Sequence, residues 1–388
     1  MKKVLFIIAD GIPADMIENA TIPNLRKIEQ IGRYKRAFTG GEKGTYTQTV
    51  TISAPGYMNV LTGTWGYKHN VYDNKADYPN YNYKNIFRLL KEQQMEKKIA
   101  IFSTWTDNRV KLLGEGRSSA GNLLFDYKFD GYELNQTAYP HDPSSLYIKN
   151  IDQRVVNETA DCIAKNAPDL SWVYLQYTDD IGHRYGDSPQ MYQSINELDQ
   201  LIGQIYTAIE YRMKNHREDW LIIITTDHGR DSVTGKDHWQ QSERERTVWI
   251  FTNDRQMNNY FQNFVPAAVD ILPTMARFLD LQIPLQSARE LDGVPLTGNV
   301  SIIKPRLTLN ADQLTIQWTM IDKGGQVRIW LSTTDFYRTG LTDDYKHIGT
   351  IPVENQTITL NIREYPSNFY KILLEGQYNM VNRWITRS

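Results

Sequence analysis

Residues of the kinds that hold metal ions recur in this sequence just after short apolar runs. Asp10 closes the run Val4-Leu5-Phe6-Ile7-Ile8-Ala9. Asp179 and His183 follow Trp172-Val173-Tyr174-Leu175, and Asp227 and His228 follow Leu221-Ile222-Ile223-Ile224. His238 comes ten residues after His228. Each has an ordinary explanation alone: an Asp at a strand end commonly caps a helix or forms a turn, and a lone His more often lies on the surface or satisfied in a core. The conjunction is different, because carboxylates delivered to one edge by separate strands repel unless cations hold them together. Imidazole with carboxylate oxygen is a zinc-type donor set, with manganese as the alternative. Three of the seven histidines fall at these positions.

A nucleophile is offered by Thr51-Ile52-Ser53-Ala54-Pro55-Gly56-Tyr57-Met58-Asn59-Val60-Leu61-Thr62-Gly63. Pro two residues after Ser53 suits the first turn of a helix. Ser53 then stands at a helix N-terminus, where free N–H groups and the helix dipole favour an alkoxide and a bound phosphate. A plain helix cap explains the same residue equally well. A serine hydroxyl is a poor nucleophile at neutral pH, and a bound metal lowers its pKa. Two metals about 4 Å apart can clamp the attacking and leaving oxygens of an in-line displacement.

The elements that must position these residues are legible as near-continuous apolar runs: Val4–Ile8, Ile99–Phe102, Trp172–Leu175, Leu221–Ile224 and Val248–Phe251. Such runs mark a mostly parallel sheet buried on both faces. Between them, Met191, Ile195, Leu198, Ile202, Ile205, Ile209 and Met213 share one face of a helix over roughly Pro189 to Lys214. Ile86–Leu90 and Val269–Leu279 are weaker helical segments. Strand–helix alternation implies a doubly wound α/β domain, whose ligands bind beyond the carboxyl ends of the strands. After about residue 300 the period becomes two, over Leu307–Leu309, Leu314–Trp318, Val327–Leu331, Ile358–Ile362 and Phe369–Leu374. That pattern predicts a small C-terminal all-β sandwich of immunoglobulin or fibronectin size. The expected division is therefore 1–300 and 301–388, with loops or a cap over the site at about 75–143.

The order of these motifs resembles the alkaline phosphatase superfamily, and most nearly its nucleotide pyrophosphatase/phosphodiesterase branch. It runs Asp10, Ser53-x-Pro55 ending in Leu61-Thr62-Gly63, Asp179-x-x-Gly182-His183, Asp227-His228-Gly229, and His238. Val269-Asp270-Ile271-Leu272-Pro273-Thr274 and Leu291-Asp292-Gly293-Val294-Pro295-Leu296 extend the resemblance over residues 3 to 297. It implies an alkaline-phosphatase-like sheet and two zinc ions. One would be held by Asp179, His183 and His238, the other by Asp10, Asp227, His228 and the Ser53 oxygen. Asp180 competes with Asp179, which the Asp-x-x-Gly-His spacing favours. Ser53 would attack phosphorus and form a phosphoseryl intermediate. Asn74 would hold a phosphate oxygen together with the N–H after Ser53, although a turn Asn explains it as well.

Substrate class is expected to be a small phosphoester, with a nucleotide among the candidates. Tyr57 stands where a sulfatase would carry Arg, and no arginine of the Ser53 helix offsets the second charge of a monoester. Phosphomonoesterase and sulfatase activities are the alternatives within the superfamily. A glycan- or protein-binding scaffold with a degenerate hydrolase domain is the alternative outside it. Tyr46, Tyr57, Trp65 and Trp105 could stack a base or sugar, or simply pack. A net charge of -2 argues against duplex nucleic-acid binding. The single cysteine, Cys162, excludes an internal disulfide and a Cys-based zinc site. No apolar run approaches the roughly 20 residues that span a bilayer. Val4–Ala9 is too short for a signal core, so the protein is expected to be either cytoplasmic or, as the appended β-module favours, periplasmic or secreted with its leader removed. The role of the C-terminal module is open.

Overall fold

The computed structural model describes residues 1–387. Seven strands form the main sheet: β1 (Lys2–Ala9), β2 (Arg33–Phe38), β3 (Ile99–Ser103), β4 (Tyr127–Phe129), β5 (Leu170–Leu175), β6 (Asp219–Thr225) and β7 (Thr247–Thr252). Their order is β2-β7-β6-β1-β5-β3-β4. The pairs β6/β1, β1/β5, β5/β3 and β3/β4 are parallel. β7 runs antiparallel to both β6 and β2. β2, with the polar run Arg33-Tyr34-Lys35-Arg36, was not evident in the sequence. It is an edge strand, where charge discourages further pairing.

Successive side chains of β1 enter opposite cores. Val4, Phe6 and Ile8 join one cluster, and Leu5, Ile7 and Ala9 the other. Both clusters exclude water from the strand, which is why its sequence is apolar without alternation. The Ser53–Thr62, Ile86–Gln93 and Ile271–Phe278 helices cover the first face. Pro23–Ile31, Leu146–Asn166 and Pro189–His216 cover the second. No helix among the described residues is long and apolar enough to cross a membrane.

The segment 75–143, expected as loops or a cap, proves mixed. Its Ile86–Gln93 helix and β3 are core elements, with Ile86, Phe87, Leu90 and Ile101 fully buried. The remainder holds short turns around β4. The apolar runs Ile86–Leu90 and Ile99–Phe102 mark both core elements in the sequence, so it is the bounds of the cap, drawn around the Tyr, Asn and Asp residues, that the structure corrects.

The C-terminal strands are β8 (Ile302–Asn310), β9 (Gln313–Met320), β10 (Gln326–Ser332), β11 (Lys346–Pro352), β12 (Thr357–Asn361), β13 (Phe369–Glu375) and β14 (Met380–Thr386). They form two antiparallel sheets, β11-β10-β13-β14 and β12-β9-β8. Their inward residues, among them Leu314, Trp318, Ile329 and Tyr370, continue the same apolar cluster that contains Phe6.

Candidate active site

The carboxyl ends of β6, β1 and β5 are adjacent because the register aligns them, Ile8 with Thr225 and Ala9 with Leu175. Asp10 donates its N–H to Leu175 O at 3.0 Å and so sits at the shared edge. Gly11, at φ 66°, turns the chain and donates its N–H to Asp227 Oδ1 at 3.1 Å. A Cβ at Gly11 would strike the Asp179 carboxylate, so only glycine admits this approach.

Two groups of donors result. Asp10, Asp227 and His228 form the first, and Asp179, His183 and His238 the second, with each group's ligand atoms within 4.8 Å of one another. In the first, His228 Nε2 lies 3.5 Å from Asp10 Oδ1 and 3.1 Å from Asp227 Oδ2. In the second, His183 Nε2 lies 3.0 Å from His238 Nε2 and 3.3 Å from Asp179 Oδ2. Bonds of about 2.0–2.1 Å at tetrahedral angles set the donors of one zinc ion about 3.3 Å apart, which these spacings bracket. The His228 and His238 rings stack with centroids 3.6 Å apart, so the groups are neighbours.

Contacts outside the two groups orient several of these donors. His228 Nδ1 bonds Gly229 O at 2.9 Å and His238 Nδ1 bonds Thr51 O at 2.8 Å, leaving both Nε2 atoms as acceptors. Asp10 Oδ2 accepts from Tyr174 Oη at 2.7 Å and from Tyr57 Oη. The remaining donor atoms of the first group, Asp10 Oδ1, Asp227 Oδ2 and His228 Nε2, are buried without hydrogen-bond partners. Such orphans are costly unless something else binds them, and a divalent cation satisfies all three at once.

Electrostatics agrees. Burial, and then the charges of Asp227 and Asp179, hold the Asp10 carboxyl well above the ordinary carboxylate range. Burial and Asp179 push Asp227 up to about 7. His228 is driven down by burial and by His238. Burial raises Asp179 too, but the Arg230 guanidinium and His183 outweigh it and hold that carboxyl low. The first group is thus a pair of desolvated carboxylates lacking a cation, and the second already contains one.

Ser53 is the first residue of the Ser53–Thr62 helix and is buried. Two contacts bring that helix to the donors. A Cβ on Gly56 would come within 2.8 Å of Asp227 Cβ, so the first turn lies against Asp227. Thr51, two residues before Ser53, holds His238. Asn74 is exposed and faces the same helix start. Its Oδ1 accepts the Ala54 N–H at 3.0 Å, so the amide oxygen, not its N–H₂, faces the backbone donor expected for phosphate. The turn belongs to Asp73, whose Oδ1 accepts from Lys75 N at 2.9 Å. Asp180 bonds Gln176 Nε2 at 3.1 Å and belongs to neither group.

Of the aromatic candidates, Tyr46 stacks on Trp384 at 3.7 Å and Trp65 on Phe38 at 5.8 Å, both as packing residues. Tyr57 is fully buried and serves Asp10. Trp105 is partly buried against the Phe6 core and meets Tyr57 edge-on at 6.5 Å. The sequence did not reveal the roles of Tyr57, Tyr174 and Arg230. All three are buried polar groups whose partners are distant in the chain, and only Arg230, directly after Asp227-His228-Gly229, carried a positional hint.

Residues 4–287 match the family described as type I phosphodiesterase / nucleotide pyrophosphatase. Among curated proteins the chain is similar to GPI ethanolamine phosphate transferase 3 of Eremothecium gossypii, 23% identical over 189 residues, 43% of this chain and 18% of that protein. It is also similar to GPI ethanolamine phosphate transferase 2 of Aspergillus oryzae, 29% identical over 124 residues, 28% of this chain and 14% of that protein. The matches thus span less than a fifth of these relatives' length. Murine ectonucleotide pyrophosphatase / phosphodiesterase 5 shares the fold, with a TM-score of 0.53 and 14% identity over 73% of this chain and 96% of that one. So does phosphonate monoester hydrolase of Agrobacterium radiobacter, with a TM-score of 0.52 and 14% identity over 100% of this chain and 89% of that one.

Proposed function

We propose, from the premise that this chain belongs to the type I phosphodiesterase / nucleotide pyrophosphatase family, that it hydrolyses phosphodiesters through Ser53 with two divalent cations. The observation that carries this reading is the convergence of buried, partnerless Asp10 Oδ1, Asp227 Oδ2 and His228 Nε2 beside the helix that begins at Ser53. In this reading Asp10, Asp227, His228 and Ser53 hold one ion, and Asp179, His183 and His238 the other. The imidazole–carboxylate donor set favours zinc. The ions would supply Lewis acidity to the serine oxygen and to the leaving oxygen.

The chain's own residues supply the rest. Ser53 Oγ attacks phosphorus in line and gives up its proton, the bond to one alcohol breaks, and that alcohol leaves protonated. The other ester group stays on phosphorus, so Ser53 is left as a seryl phosphodiester, whose Oγ–P bond water then cleaves to release a phosphomonoester. The Ala54 N–H and Asn74 hold equatorial oxygens, and Ala54 must exchange its bond with Asn74 Oδ1 for one to phosphate. Tyr57 and Tyr174 keep Asp10 turned toward the site.

A singly charged diester suits the local charge. Tyr57 is spent on Asp10, and Arg230 on Asp179 and backbone carbonyls, so neither offsets the second charge of a monoester. An inactive form of the murine neighbour was solved with AMP, which makes a nucleotide diester a reasonable first substrate. The curated relatives are named as ethanolamine phosphate transferases, and an alcohol in place of water would resolve the same seryl phosphodiester into a new diester and free Ser53.

The test is zinc-reconstituted enzyme on p-nitrophenyl thymidine 5′-phosphate, p-nitrophenyl phosphate and p-nitrophenyl sulfate, with Ser53→Ala beside it. Diester cleavage is expected to dominate and to fall by at least about 10³-fold in the variant. Preference for the monoester or sulfate would change the substrate class. Activity that survives Ser53→Ala would remove Ser53 as nucleophile.

A further inference from the structure

Arg230 is a fully buried guanidinium inside the second donor group. Its Nε donates to Gly11 O at 2.9 Å, Nη1 to Lys236 O at 2.8 Å, and Nη2 to Asp179 O at 2.8 Å and to Asp179 Oδ1. A Cβ at Gly182 would overlap the guanidinium, and one at Gly11 would come within 2.6 Å of Nη2. Both glycines adjoin proposed ligands, Asp10 and His183, and together they form the notch that admits the side chain.

The two groups therefore differ in charge. Asp179 already shares one oxygen with a resident cation, and its Oδ2 faces His183. Asp10 and Asp227 are contacted by the neutral donors of Tyr57, Tyr174 and Gly11. Counting formal charges, the first group offers two negative charges, while the second, with Arg230, offers none. The groups differ in access as well: the side chains of Asp10, Asp227 and His228 are at most 1% exposed, and that of His183 is 46% exposed.

We propose that Arg230 makes the two cation sites unequal, so that Asp10, Asp227 and His228 bind first and tightly while Asp179, His183 and His238 bind second, weakly and exchangeably. Arg230 is a positioning residue. It fixes Asp179 as a one-oxygen ligand, ties the loop that carries His238 through Lys236 O, and opposes the second ion by its charge. A fixed unit charge this near a divalent ion changes a binding constant by more than about tenfold even with a polar site's screening.

The inference rests on the two-cation reading above, but its test reads binding, so its failure leaves Ser53-dependent turnover untouched. Chelator-treated full-length protein is titrated with Zn²⁺ by calorimetry and with Co²⁺ by visible absorption, with bound metal counted by mass spectrometry. Two steps separated by at least about tenfold are expected. His183→Ala should remove only the weaker step. Arg230→Gln keeps an amide donor but loses the charge, and should narrow the separation by about tenfold or more; Arg230→Lys should retain it. Equal affinities in the wild type overturn the proposal, as does loss of the tighter step in His183→Ala. An unchanged ratio in folded Arg230→Gln also overturns it. Should that variant fail to fold, the wild-type and His183→Ala titrations decide alone.

Discussion

Tyr57 shows how one buried hydroxyl can matter to a proposed metal ligand that it only supports. With Tyr174 it occupies Asp10 Oδ2 and leaves Oδ1 toward the site. Tyr57→Phe keeps the packing against Tyr174, whose ring centroid lies 5.0 Å away, but removes one donor. Loss of such a support typically weakens metal affinity about 10- to 100-fold. A competition titration against a chelator should show that loss in the tighter Zn²⁺ step. His69 is buried and has a different task. Its Nε2–H bonds Asn59 Oδ1 at 3.0 Å, and its Nδ1 accepts from Val71 N at 3.1 Å. Both nitrogens are satisfied only in the neutral ring, and burial lowers the pKa to about 3. The folded value lies below the unfolded one, so the unfolded chain binds the extra proton. Stability from this group is present above about pH 6.5 and is lost as the pH falls toward the folded value. Between about pH 7.5 and about pH 5 the cost is about 2 kcal/mol. Urea unfolding of His69→Gln, which keeps a donor for Asn59, should show a pH dependence flatter than wild type by that amount.

Among elements, the loop from Asp231 to Asp237 leads from Arg230 to His238. The Asp231 carboxylate accepts from the N–H groups of Val233, Thr234, Lys236 and Asp237 at 2.7–3.0 Å. Asp231 N closes the ring on Asp237 O at 2.7 Å. The loop therefore holds its shape without a hydrophobic core and presents Lys236 O to Arg230 and His238 to the site. Asp231→Ala should lower the loop's opening free energy by about 3 kcal/mol and speed amide exchange at residues 233–237 roughly a hundredfold. The weaker cation step should weaken with it. The strands and the Ser53 helix were legible in the sequence because apolar periodicity and Pro55 are local signals. This loop was not, since its order comes from one carboxylate gathering backbone donors that no pattern advertises. The edge strands β2 and β4 were missed for a related reason: half-exposed edges carry too few apolar residues to stand out.

At the scale of the molecule, the C-terminal sheets are joined to the α/β part by more than surface contact. Lys371 is fully buried and donates to Glu290 Oε2 at 2.6 Å and to Asp343 Oδ2 at 2.7 Å. Lys68, also buried, donates to Asp292 Oδ1 at 2.7 Å and to Asn382 Oδ1 at 3.1 Å. Further bonds reach the loop that follows Asn74: Asn80 Nδ2 bonds Arg338 O at 2.9 Å and Tyr83 Oη bonds Tyr337 O at 2.6 Å. With one apolar cluster running through both parts, wild-type protein should melt in a single calorimetric transition. Lys371→Met leaves the buried Asp343 carboxylate without its cation and the partly buried Glu290 with only Lys68, at 3.7 Å, and should cost about 3–5 kcal/mol in urea unfolding. Two transitions in the wild type would show instead that the parts fold separately.

Local pattern in the sequence determined the buried parallel strands, the Pro189–His216 helix, the two-period C-terminal strands and the candidate ligands at strand ends. Each follows from side-chain type and spacing within a few residues. Tertiary structure alone decided what lies between those ligands. Strand register set Asp10 beside Asp227, the notch at Gly11 and Gly182 admitted Arg230, and the Tyr57 and Tyr174 hydroxyls turned Asp10. These contacts join residues up to 219 positions apart, and a buried charge or hydroxyl is settled by its partners, which only the folded chain assembles.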